Sequence, residues 1–389
     1  MAEHKGAGDS PLIYLNNAAT SWPKPAEVLA EITRCLKTPF FEQGRSTAGG
    51  TIDYPSATRE ALAGFFNADE PDHFIFTQSA TDSLNLLIHG FVKNQKIPFH
   101  AITTELEHNS VLRPLHTLEG EGRLTLSTLP FDDGRVTLQE IKKAIRSDTR
   151  LVVMTHGSNV LGSLQNIRPV SEYCASNDIF LIVDGAQTVG QIPINLSEIP
   201  DCAFVFTGHK GLFGLPGIGG FYLQDPEAIA PIRQGGTGTD SRALAHPKDM
   251  PQKFEAGTPN YPGIASLLAG IRYIERQGQD AITSKCRGLT ALIIREFNKD
   301  PNITLYTPAP DLPVVSFNIG NLENDEVGYI LAKAYNIITR TGLQCAPLVH
   351  DQIDGGKGCI RMSCSYLNTP EECRQAADAV REVANSADC

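Results

Sequence analysis

From about residue 50 to residue 225 the chain alternates short β-branched apolar runs with amphipathic stretches, and this alternation restricts the fold more than any other feature. "HFIFTQ" (73–78) precedes "SATDSLNLLIHGFV", "HAITTE" (100–105) precedes "HNSVLRPLHTL", and "RLVVMTH" (150–156) precedes "IRPVSEYCASN". "IFLIVDGAQ" (179–187) then leads toward "CAFVFTGHK". Short buried runs separated by helix-period segments predict βαβ units and a mostly parallel sheet. Each run ends on polar residues where a strand would meet its loop, and open α/β sheets bind ligands at those carboxyl ends. Ser79, Thr81, His108, Asn159, Asp184, Gln187, Thr207, His209 and Lys210 are therefore expected to converge. The last third has another rhythm. "PGIASLLAGIRYIERQG" (262–278) and "ECRQAADAVREVA" (372–384) have helical period, while "PVVSFNIG" (313–320) and "GCIRMSC" (358–364) read as strands. This pattern predicts a smaller α+β domain beyond the Gly- and Pro-rich "FEAGTPNYPG" (254–263).

Within "FVFTGHKGLFGLPGIGGFYL" (204–223), Lys210 sits in a short turn between two apolar runs. Burying a charge is costly, so a lysine in such a place is either a surface turn residue or an amine that condenses with a carbonyl. Bulk properties narrow the field. The 389 residues carry a net charge of −11 and a pI of about 5.4, which argues against a general nucleic-acid or anionic-membrane surface. No apolar run approaches the roughly 18 residues of a membrane span, and the N-terminus lacks the apolar core of a signal peptide. A cytoplasmic protein is expected. Nine scattered cysteines without a C-x-x-C pair predict neither a disulfide framework nor a structural zinc site.

Three further stretches weigh on Lys210. Asp184 ends an apolar strand in "VDGAQ", as a helix cap, a salt-bridge partner, or the partner of a protonated ring nitrogen. "QSATDSLN" puts Ser79, Ala80 and Thr81 at a strand-to-helix turn, either a plain cap or an anion site at the positive end of the helix dipole. "ELEHN" and "THGSNVLG" offer His108 and Asn159 at comparable strand ends; such a histidine is structural or stacks on a flat ring.

With these motifs, the chain resembles the pyridoxal-phosphate enzymes of the class V aminotransferase family, in the cysteine desulfurase and selenocysteine lyase branch. The resemblance runs from "YLNNAATSWPKP" to "NTPEECRQAADAV", through "SATDSLN", "ELEHNS", "THGSNVLG", "VDGAQTVGQ", "FEAGTPN" and "RTGLQCAPL". It implies fold type I: a large domain (26–255) with a mostly parallel seven-stranded sheet, a small α+β domain (256–389), and an N-terminal segment (1–25) packed with the small domain. It implies that Lys210 holds pyridoxal 5'-phosphate covalently, that Asp184 pairs with the ring nitrogen and that Gln187 bonds the phenolic oxygen. His108 would stack on the ring, as a catalytic residue beside Lys210. Ala80, Thr81, Thr207 and His209 would hold the phosphate, with Thr258 reaching the phosphate of the neighbouring subunit in a homodimer. Asn159 would lie on the ring-oxygen side and near substrate, and Arg361 would take the substrate α-carboxylate.

Cys345, in "RTGLQCAPLVH" (340–350), matches the family's sulfur-accepting cysteine. Only a thiolate is competent for that step, and His350 or the cationic side of the site is expected to lower its pKa. Two departures are visible. Gln344 stands where better-known desulfurases often carry a histidine, and "EQGRSTAGG", around Arg45, lacks the histidine common in one group. The reaction implied is L-cysteine to L-alanine, with the sulfur left on Cys345 and passed to an acceptor protein. Selenocysteine as substrate, a β-lyase or aminotransferase reaction, and a sulfur-relay partner with little turnover of its own stay open at this level. No metal is expected.

Overall fold

The structure, a computed structural model, describes residues 11–39, 52–239 and 242–386. Arg45 and Cys389 lie outside them. In chain order the first elements are β1 (Ile13–Tyr14), α1 (Ala26–Leu36), α2 (Tyr54–Phe66), β2 (Phe74–Thr77), α3 (Ala80–Asn94), β3 (Phe99–Thr104) and α4 (Asn109–Gly120). There follow β4 (Leu124–Leu129), α5 (Leu138–Ala144), β5 (Thr149–Thr155), α6 (Ile167–Ala175), β6 (Phe180–Asp184), β7 (Cys202–Thr207), β8 (Gly219–Leu223) and α7 (Tyr261–Gln277). The rest is α8 (Gln279–Phe297), β9 (Ile303–Leu305), β10 (Val314–Ile319), α9 (Asn324–Ala334), β11 (Ile337–Ile338), α10 (Pro347–Ile353), β12 (Ile360–Ser363) and α11 (Pro370–Ser386).

Two compact units emerge, and neither is one continuous stretch of chain. The sheet unit takes residues 24–156 and 165–279. Its seven strands run in the order β2-β8-β7-β6-β5-β3-β4, parallel except for β8, which is antiparallel to both neighbours. The central strands are buried on both faces, hence their unbroken apolar runs. Leu84, Leu87 and Phe91 of α3 pack with Val153, Ile182, Val205 and Phe221 of the sheet. The antiparallel β8 follows from the tight return after Lys210: Thr207 is paired with Gly219 only a short loop later, too short for a crossover helix.

The second unit takes the described residues up to Pro23, residues 157–164 and those from 280 onward. β12, β10 and β9 form an antiparallel sheet, and β1 pairs in parallel with β11. Phe297, Phe317, Met362 and Val380 belong to its core. The division falls after residue 279, not after residue 255, because α7 packs on α1 and α2 of the sheet unit. Residues 157–164 are a larger departure from the expected 26–255 domain. They leave the sheet unit and fold with the second unit: the Gly162 carbonyl accepts from Asp311 and Leu312 (3.0 and 2.9 Å), and Ser316 Oγ donates to Val160 O (2.6 Å).

Candidate active site

In the sheet unit the chemistry-bearing residues follow the carboxyl ends of parallel strands. After β2, Ser79 caps α3: its Oγ accepts the Asp82 N–H (3.2 Å), and Asp82 Oδ2 accepts the Gln78 N–H (3.0 Å). Ala80 and Thr81 open the helix, where the first amides have no intrahelical acceptor. After β3, His108 caps α4. Its Nδ1 accepts the Ser110 N–H (3.0 Å), so in the neutral ring the proton sits on Nε2. Ser110 Oγ lies 2.8 Å from His108 Nδ1 and 2.7 Å from Thr81 Oγ1, which joins the two strand ends through one hydroxyl. After β6, the buried Asp184 accepts the Ala186 N–H (2.9 Å), and Gln187 follows in the same turn.

After β7 come Thr207, His209 and Lys210. Thr207 is buried, and its Oγ1 has no hydrogen-bond partner among the described residues. Burial holds His209 neutral, its pKa pulled down to about 4 with help from the cations Lys210 and Lys24. Two glycines set this turn. A Cβ on Gly211 would lie 2.2 Å from Val189 O, and one on Gly190 2.4 Å from the Gly211 carbonyl carbon. The turn at residues 185–191 and the Lys210 turn thus touch backbone to backbone. Thr258 is exposed in the segment leading to α7.

Sequence reasoning missed two residues here. Lys24 Nζ donates to His209 O (3.1 Å), and burial lowers its pKa to about 8. Glu107 is fully buried. Its Oε1 accepts from Thr104 Oγ1 (2.6 Å) and Thr155 N (3.0 Å), and burial, aided by the Asp184 charge, raises its pKa to about 8. A carboxylate directly before a strand-end histidine was the available signal for Glu107; for Lys24 it was the lysine in "SWPKP".

The second unit gathers Asn159, Arg361 and Cys345. Asn159, read from its motif as a strand-end residue of the sheet domain, belongs to the excursion into this unit. Its Nδ2 donates to Gln344 O (2.8 Å), and its carbonyl accepts from Arg361 Nη1 (2.9 Å). Arg361 lies on β12 and also donates to Asn16 Oδ1 (3.3 Å). Burial pulls its pKa down to about 10. Arg361 Nε is buried with no hydrogen-bond partner among the described residues. A buried guanidinium with an unmet donor is suited to a carboxylate.

The cysteines sort sharply. Among the described residues, Cys345 is exposed and the other seven are buried. Burial pushes the Cys174, Cys202, Cys286 and Cys359 thiols up to about 12, which makes them inert at neutral pH. His350 does not face the Cys345 thiol as a base: its Nε2 meets Gln344 Oε1 (2.8 Å) and its Nδ1 meets Asp354 Oδ2 (2.6 Å).

The aminotransferase class-V family model matches residues 13–375. The chain belongs to the class-V aminotransferase family. Among curated proteins, it is 32% identical over 377 residues to a cysteine desulfurase of Cronobacter sakazakii, covering 93% of this chain and 91% of that one. It is 30% identical to a cysteine desulfurase of Pectobacterium atrosepticum, covering 93% and 90%. Among solved structures, the apo cysteine desulfurase of Thermococcus onnurineus superposes with a TM-score of 0.89 at 28% identity, covering 99% of this chain and 100% of that one. The Escherichia coli cysteine desulfurase CsdA, at 23% identity, has the same fold with a TM-score of 0.87 over 96% and 95%. This chain's sheet is mostly parallel and seven-stranded. No described helix is long and apolar enough to cross a membrane. In this class-V chain the donor set of the sheet unit fits a phosphorylated, protonatable ring. The unmatched Thr207 hydroxyl and the first-turn amides of α3 suit an anion, the Asp184 carboxylate suits a protonated nitrogen, and Lys210 supplies an amine.

Proposed function

We infer that the chain is a pyridoxal-phosphate-dependent cysteine desulfurase that converts L-cysteine to L-alanine and takes the sulfur onto Cys345. The carrying observation is the exposed Cys345 thiol, the exception among described cysteines, in the unit that holds the half-satisfied Arg361. Its kinship with desulfurases over nearly the whole chain supports the same reading. Lys210 would hold the cofactor, Ala80, Thr81, Thr207 and His209 its phosphate, Asp184 and Gln187 its ring, and His108 one ring face. When bound, the cofactor supplies an electron sink that acidifies Cα and weakens the Cβ–Sγ bond.

The chain's own residues do the rest. Arg361 binds the α-carboxylate and orients the substrate. The Lys210 amine moves the Cα proton. The Cys345 thiolate attacks the substrate sulfur and forms an S–S bond. The Cβ–Sγ bond breaks with its electron pair on carbon, which takes a proton to become the methyl group of alanine. Cysteine and an enzyme thiol thus give alanine and an enzyme persulfide, and an acceptor thiol removes the outer sulfur. Thr258, exposed in the sheet unit, completes the phosphate site of a second copy in a homodimer.

Product analysis with L-cysteine tests the reading. The expected result is alanine, with one added sulfur on the Cys345 peptide by mass spectrometry. Cys345→Ser keeps substrate binding, seen as a change in the visible spectrum, and loses alanine formation by about a hundredfold or more, the scale of removing a reacting group. Pyruvate and ammonia from the wild type, or full activity in Cys345→Ser, would overturn it.

A further inference from the structure

Gln344 and Cys345 are consecutive, both carry side chains, and both stand in the left-handed region, at φ 42° and 61°. That region is unfavourable for residues with a Cβ and persists only where the surroundings hold it. Here the holding groups attach to Gln344. Its carbonyl accepts from Asn159 Nδ2 (2.8 Å) and its Nε2 donates to Cys359 O (2.8 Å). Since a carbonyl only accepts, the amide nitrogen of Gln344 must face Cys359, and Oε1 faces His350 Nε2 at 2.8 Å. The other ring nitrogen, Nδ1, lies 2.6 Å from Asp354 Oδ2. Asp354 Oδ1 in turn accepts the Gly358 N–H (3.2 Å). The His350 and Asp354 side chains are 0% and 2% exposed, so the chain of bonds is closed to water. The donors of His350, Asp354 and Cys359 lie within 4.8 Å of one another, but both imidazole nitrogens are engaged, so the cluster is a hydrogen-bond chain and not a metal shell.

We propose that His350 is a positioning residue for Cys345, holding through Gln344 the left-handed turn that presents the exposed thiol. The consequence for sulfur uptake rests on the desulfurase reading; the consequence for the turn does not.

The test uses full-length, cofactor-loaded protein and two readouts: amide hydrogen exchange across residues 342–346, and alanine formation from L-cysteine. In His350→Ala, exchange in that segment speeds up by about tenfold or more while the rest of the chain stays protected. The same variant loses about tenfold in kcat with KM within about twofold, as expected for a misplaced group rather than lost binding. His350→Gln, which can still offer an N–H to Gln344, recovers most of both. In a Gln344→Gly background, adding His350→Ala changes kcat by no more than about twofold, because the link is already cut. Gln344→Leu cuts the same link while leaving the His350 ring in place, and must reproduce the local exchange if His350→Ala does not fold. Wild-type exchange in Gln344→Leu or His350→Ala, exchange that rises evenly along the chain, or a further tenfold loss in the Gln344→Gly background would each overturn the proposal. If the wild type makes pyruvate instead of alanine, the desulfurase reading fails while the exchange result still decides the role of His350.

Discussion

Glu107 shows how far one buried residue can be moved by its surroundings. It sits between Thr104 and Thr155 with no access to water, and it holds its proton up to about pH 8 against an ordinary value of 4.5. The sign of the resulting pH dependence follows. Below about 4.5 the folded and unfolded chains both carry this proton. Between there and about 8 the unfolded chain releases it and the folded chain keeps it, so this group's contribution to stability falls as pH rises and levels off above 8. Glu107→Gln keeps the acceptor for Thr104 and Thr155 and removes the titration. The expected outcome is a difference in Tm, variant minus wild type, that grows by at least ~3 °C from pH 5 to pH 8.5, given a few degrees per kcal/mol. A difference that does not vary with pH would show that Glu107 ionises normally. A neutral Glu107 also leaves Asp184 without a second negative charge nearby, which suits the proposed pairing of Asp184 with a protonated ring nitrogen.

At the scale of elements, the site depends on turns more than on strands. The strands place residues in depth, but Lys210 is set by a turn that must touch the turn at residues 185–191. Gly211 is the point of contact, its Cβ position 2.2 Å from the Val189 carbonyl oxygen. Gly211→Ala is therefore expected to cost about 1–3 kcal/mol, since a backbone atom has to move. Turnover is expected to fall by about tenfold or more, because the amine next door moves with it. Gly64→Ala in α2 is the control: its Cβ meets nothing within 4 Å, and alanine is the better helix former by about 0.5–1 kcal/mol. Thermal unfolding and steady-state rates on both variants check the pair, and equal effects would count against the turn contact. The element order was legible for β2, β3, β5, β6 and β7, whose short apolar runs alternate with helix-period segments. The strand β4, "LTLSTL", was not, because its partly exposed edge position dilutes the apolar signal.

For the whole molecule, the inferred homodimer is tested by mass in solution. Light scattering is expected to give twice the 42.2 kDa of the chain, and Thr258→Ala to weaken cofactor retention without changing that mass. A fully active monomer would remove Thr258 from the site. The division of the chain marks the limit of what its order of residues could determine. Periodicity and strand-end chemistry were enough for a mostly parallel α/β sheet and for Lys210 and Asp184 at the ends of apolar runs, while Arg361 and Cys345 became candidates through the family resemblance of their motifs. These depend on local pattern, since a buried strand is apolar and its following turn polar wherever it sits. Tertiary structure alone decided the rest. Residues 157–164 take Asn159 into the second unit through bonds to Asp311 and Leu312, partners well over a hundred residues away in sequence. The motif singled out Cys345, but that it is exposed while the other seven described cysteines are buried was not legible, because burial is a property of what packs around each sulfur. The left-handed turn at Gln344 and Cys345 is likewise invisible in the sequence. It runs against the local preference of both residues and stands only because His350, Asp354, Cys359 and Asn159 meet there in space.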